Sequence, residues 1–206
     1  MSKIRKIVIV IAFTILAFKC NGGGVFTNGT YSSIVLLLCY TFISFEDMKR
    51  INKMSLSRYN TLKKLYLSMC QDQFIMIFKY LLCFMLIGIA SEIVGLFFGI
   101  HTTVSFEARI KFFLLSYINL FILYYLQLVT RILYGKWIAL VVICSCVFLS
   151  IGQILMRYGK VTPFIFCTAY WNRQTILSLT TVISYIICIV FVVVLSILSL
   201  KKDRAI

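Results

Sequence analysis

A chain of 206 residues that is 62% hydrophobic and 13% charged, with a mean hydropathy of +1.00, carries more apolar surface than a water-soluble core can use. Its 21 basic residues against 6 acidic ones would suit a nucleic-acid binder if read alone. The charges are bunched between long apolar runs, however, as in a chain whose solvent is lipid, so the composition excludes a soluble domain and turns the basic excess into an orientation signal.

The first predicted element follows a basic patch (Lys3, Arg5, Lys6) and runs from Ile7 to Phe18, about 18 Å of helix, the length of a signal peptide. No small-x-small pair precedes Asn21, and Phe18 and Lys19 stand where a lipoprotein site at Cys20 needs small residues, so the segment reads as an uncleaved first span. Further apolar runs follow at Tyr31 to Phe45, Phe74 to Ile100, Phe112 to Leu133, Trp137 to Met156 and Ile176 to Leu200. Each is near or above the length a helix needs to cross about 30 Å of hydrocarbon, and none alternates as a barrel strand would. The expectation is one all-α polytopic transmembrane domain over residues 1–206. Its six helical spans lie at about 4–20, 31–45, 74–100, 112–133, 137–156 and 176–200.

Seven of the 21 Lys and Arg residues fall elsewhere than the side of the termini in this scheme: Lys19, Arg109, Lys111, Arg157, Lys160 and Arg173 on the far side, and Lys79 inside a span. The remaining fourteen share one side, which the positive-inside rule assigns to the cytoplasm. Both termini and the segment 46–73 are then cytoplasmic, the segment 157–175 is outside, and the chain belongs in a cell membrane, expected to be a bacterial plasma membrane.

The second half of the cytoplasmic segment has a helical pattern, with Leu62, Leu65, Tyr66 and Met69 on one face and Lys63 and Lys64 off it, and with Ser55 or Ser57 as cap. It suits either an interfacial helix held by membrane lipids or a docking helix for a cytoplasmic partner. Outside, Tyr158, Tyr170 and Trp171 fit an aromatic belt at headgroup depth, in a loop or a re-entrant element. Glu92 is the one carboxylate within a span and has Gly88 and Gly95 on roughly its own face. It is expected to face protein or water, in a structural hydrogen bond or on a translocation path.

Glu46 after the second span, the basic run with Leu56-Ser57-Arg58, Lys79 entering the third span, and the outer Pro163-Phe164-Ile165-Phe166 occur in the order and at the spacing seen in small permease subunits of bacterial type-two ABC exporters, which this chain resembles. The resemblance implies a permease without chemistry of its own, working with a second permease copy or paralogue and a separate ATPase subunit, and moving a peptide or amphipathic substrate. ATPase coupling would fall to Glu46, Arg58, Lys63 and Lys64, a translocation path to Glu92, and the outer interface to Pro163, Tyr170 and Trp171. The other reading is a stand-alone membrane immunity or assembly protein that binds another protein in the bilayer.

No phosphate loop, Ser/His/Asp set, HExxH or Asp-rich metal motif is present, so no catalytic residue, metal or cofactor is expected, nor a nucleic-acid partner. The eight cysteines lie mostly in apolar runs without CxxC spacing and read as packing residues; Cys20 and Cys167 fall in expected outer loops, where a disulfide is conceivable, though nothing in the sequence supports it.

Overall fold

The computed structural model describes residues 3–19, 35–36, 38–41, 43–44, 62–99, 104–155 and 179–202. Among them all regular structure is helical: α1 is Lys3–Lys19, α2 Leu62–Phe97, α3 Phe106–Tyr134, α4 Lys136–Leu155 and α5 Leu179–Lys202. Within 35–44, the described residues are also helical. Two helices, covering Lys63–Phe97 and Phe106–Tyr134, are long and apolar enough to cross a membrane, while α1, α4 and α5 hold shorter apolar stretches at Ile7–Ala17, Trp137–Cys146 and Ile189–Leu198.

The expected amphipathic helix ahead of residue 74 is not a separate element. Its described part, from Leu62, is the beginning of α2, which continues without a break for 36 residues, about 54 Å of helix. The reason is local: no Gly or Pro occurs between Leu62 and Ile87, so nothing stops propagation once the helix has started. The expected face is seen, with Leu65 and Tyr66 buried, Met69 partly buried, and Lys63 and Lys64 exposed. That face carries on through Gln73, Ile77, Tyr80, Leu81, Phe84 and Glu92, all buried and recurring at helical spacing.

The helix ends are set by specific residues. Two turn bonds, from Phe98 N–H to Gly95 C=O and from Gly99 N–H to Leu96 C=O, close α2, with Gly99 at φ 74°. Ser105 caps α3, its Oγ accepting from Ala108 N–H at 3.3 Å, with Glu107 in the first turn where the helix dipole favours an anion. A single residue, Gly135 at φ 89° and ψ 178°, joins α3 to α4; its N–H closes on Arg131 C=O at 2.9 Å.

α3 is the central helix, packed against α2, α4 and α5, whereas α1 packs on α2. α2 and α3 are antiparallel, and ring pairs mark the seam: Tyr66 with Tyr125, Phe74 with Tyr117, Phe78 with Phe113, and Phe84 with Phe112, at centroid separations of 6.1, 5.2, 5.6 and 5.8 Å. Phe13 of α1 meets Tyr80 and Phe84 edge-on at 5.3 and 4.8 Å. The outward faces are apolar too: Ile15, Leu86, Val141 and Ile187 are each more than half exposed. A bundle with large aliphatic side chains on both its inner and outer surfaces has the reverse of a soluble protein's surface.

Candidate functional site

Polar groups inside so apolar a bundle are the residues to read for function, since each must be hydrogen-bonded or costs free energy. Glu92 is one. It lies five residues before the end of α2 and is 5% exposed. Oε1 accepts the backbone N–H of Val104 at 3.0 Å, and Oε2 accepts from Nη2 of Arg109, one turn into α3. Both carboxylate oxygens are therefore engaged, and the anion fastens the α2–α3 connection from the α2 side. Beside it Ser91 Oγ donates to Gly88 C=O at 2.8 Å, keeping that hydroxyl satisfied within its own helix.

A second group of polar side chains lies toward the opposite end of α2. Ser44 Oγ donates to Gln127 Oε1 at 2.8 Å, Tyr40 Oη lies 3.4 Å from Gln73 Oε1, and Tyr80 Oη donates to Leu36 C=O at 2.9 Å. These bonds tie the helical residues of 35–44 to α2 and α3 together. On α3, Ser116, Asn119, Gln127 and Thr130 are all buried. At 100° per residue they fall within one narrow face, so the central helix turns a polar stripe inward. Thr130 Oγ1 bonds back to Leu126 C=O at 2.8 Å, while Ser116 Oγ and Gln127 Nε2 have no partner among the described residues.

Among the described residues, clefts open between the helices. One, of about 540 Å³, lies between α1, the helical residues of 35–44 and α2; its lining includes Ile9, Tyr40, Ile75, Asp72 and Lys79. Another, of about 380 Å³, is an aromatic and aliphatic groove between α2, α3 and α5, lined by Phe74, Tyr117, Phe121, Ile189 and Val192 among others.

The residues singled out from sequence are not gathered into one site. Lys63 and Lys64 occupy the first turn of α2, and Glu92 is 28 residues further along the same helix, about 42 Å away. Glu46, Arg58, Pro163, Tyr170 and Trp171 lie outside the described residues, as do Ser55, Ser57, Cys20 and Cys167. Cys39, Cys70, Cys83, Cys144 and Cys146 are in no disulfide among the described residues. Among the described residues no three His, Cys, Asp or Glu side chains come together as metal ligands.

Sequence reasoning missed Arg109 as the partner of Glu92 and missed the polar stripe of α3. A signal for the stripe was present, in the recurrence of Ser116, Asn119, Gln127 and Thr130 at one helical angle inside an apolar run. No family model, curated protein or solved structure matches the chain. What the fold and these groups define, among the described residues, is an all-helical arrangement with two helices long and apolar enough to cross a membrane and polar side chains turned into its core.

Proposed function

We propose that this chain is a six-span integral membrane protein with both termini in the cytoplasm, and that it serves as a permease subunit of an ABC exporter. A separate ATPase would drive export or expulsion of a peptide or other amphipathic substrate, with a second permease copy or paralogue completing the pathway. The membrane part of the reading is supported by the apolar outward faces of α1, α2, α4 and α5, which lipid would cover.

The observation that carries the transport part is the continuity of α2. One unbroken helix begins at the basic pair Lys63–Lys64, in the segment whose counterpart in the resembled permeases couples to the ATPase, and ends beyond the Glu92–Arg109 pair. A rigid rod of this length is suited to transmit displacement from a cytoplasmic partner to the far side of a bundle, because packed helices shift as bodies rather than bend. The buried polar stripe of α3 and the two clefts would supply surfaces for an amphipathic substrate.

Affinity purification from the native host in mild detergent tests this. An ATPase subunit with a phosphate-loop motif should accompany the protein, and Glu46→Ala or Arg58→Ala should release it while the chain stays in the membrane, because contact energy concentrates in few anchored residues. Purification without any ATPase would remove the exporter reading and leave a stand-alone immunity or assembly protein.

A further inference from the structure

Asp72 and Glu92 are twenty residues apart on α2, about 30 Å of helix, which is the thickness of a bilayer's hydrocarbon core. If these two carboxylates mark the boundaries, Lys79 lies about 10 Å inside the one near Asp72. Its side chain is exposed, and it makes no ion pair or hydrogen bond among the described residues. A cation at that depth is costly unless it reaches water or an anion, and a lysine stem lets it snorkel toward the nearer boundary. Helical side chains lean toward the N-terminus, so Lys79 leans in the direction of Asp72, two turns away on the same side of α2.

Asp72 and Lys79 both line the cleft of about 540 Å³, whose walls are otherwise mainly apolar, from Ile9 and Val10 of α1 to Ile75 and Met76 of α2. The two tyrosine hydroxyls there are already committed, Tyr80 to Leu36 C=O and Tyr40 toward Gln73. What the cleft offers is therefore an ordered pair of charges over an apolar trough: an anion at the boundary, then a cation deeper in. A phospholipid headgroup with a terminal primary ammonium presents the complementary order, ammonium outermost and phosphate beneath it, with acyl chains continuing inward.

We propose that this cleft binds one phospholipid of the leaflet on the Asp72 side, of the kind whose headgroup joins a phosphate to a primary ammonium. The phosphate sits on the Lys79 ammonium, the headgroup ammonium on the Asp72 carboxylate, and an acyl chain lies along Ile75 and Met76. The site depends on α2 crossing the bilayer and not on an ATPase, so it holds for an exporter subunit and for a stand-alone membrane protein alike.

The test is photo-crosslinking of the full-length protein in nanodiscs, using phospholipid probes that carry the same photoreactive acyl chain on phosphatidylethanolamine, phosphatidylcholine or phosphatidylglycerol. The ethanolamine probe should label α1 and α2 at the cleft more strongly than the other two. Lys79→Gln should lower that labelling about fivefold, the effect of one basic contact at a lipid surface, and Lys79→Arg should restore it. Asp72→Asn should abolish the preference for ethanolamine over choline. Equal labelling by all three probes, strongest labelling by phosphatidylglycerol, or indifference to both Lys79→Gln and Asp72→Asn would overturn the site. Retention of the protein in carbonate-washed membranes reports separately on whether α2 spans. A protein that is retained but shows no headgroup preference loses the lipid site alone.

Discussion

Arg109, at the end of the first turn of α3, donates its guanidinium to the carboxylate of Glu92 near the end of α2, and the second oxygen of that carboxylate holds the backbone of Val104 between them. The pair closes the connection between the two helices long enough to cross a membrane, where a loose joint would leave a charge on each without a partner.

Removing one member of this pair should be far worse than removing both. Arg109→Met leaves a buried anion with a single backbone donor, and a loss of about 3–5 kcal/mol is expected. In the double variant Arg109→Met with Glu92→Gln most of that loss should be recovered, because no uncompensated charge remains. Reversible unfolding in mixed micelles measures all four corners of the cycle. Additive losses would mean that the two side chains do not act on each other.

Ser44 and Gln127 should behave the same way on a smaller scale. Gln127→Leu removes one acceptor of the Ser44 hydroxyl at the junction of the 35–44 helical residues with α3; the hydroxyl keeps Thr41 C=O at 3.1 Å, so a cost of about 1 kcal/mol is expected for the hydrogen bond lost. Ser44→Ala added to Gln127→Leu should cost little more, which the same unfolding assay would register.

Much of the architecture was legible in the sequence because hydropathy and helicity agree over most of it: each expected apolar run contains or overlaps helix in the described structure. The boundary expected at Gln73 marks where the apolar run begins, and the helix runs through it because a helix is stopped by its backbone, and Leu62 to Ile87 has neither Gly nor Pro to stop it. Glu92 was found from sequence because a lone carboxylate in an apolar run is conspicuous, whereas its partner was not. Arg109 looked like any loop cation until the antiparallel packing of α2 and α3 brought the two together. Gln127 and Ser44 are uncharged and sit among apolar neighbours, so their pairing too became visible only in the packed structure.

The length of α2 can be measured directly. Leu67 and Val94 are both exposed and 27 residues apart, so spin labels at these positions should be about 40 Å apart along a continuous helix. Pulsed electron resonance on the protein in lipid gives that distance. A distribution centred much shorter would mean a bend or break between the basic end and the Glu92 end, and the rod would not exist.

Gly135 should resist substitution for backbone reasons alone. A Cβ built there meets no atom within 4 Å, but its φ of 89° and ψ of 178° lie in a region reserved in practice for glycine. Gly135→Ala is expected to cost about 1–3 kcal/mol. Gly135→Asn should gain no relief, since asparagine tolerates the left-handed helical region and not this one. Thermal unfolding of the two variants side by side would show whether they lose stability together.

The most direct test of the account is accessibility across the membrane. In a cysteine-free background, single cysteines at Asn28 and Asn60 should be reached by a membrane-impermeant thiol reagent from opposite sides, residue 28 from outside and residue 60 from the cytoplasm, as six spans with cytoplasmic termini require. Labelling of residue 28 from the cytoplasm, or of residue 60 from outside, would contradict it.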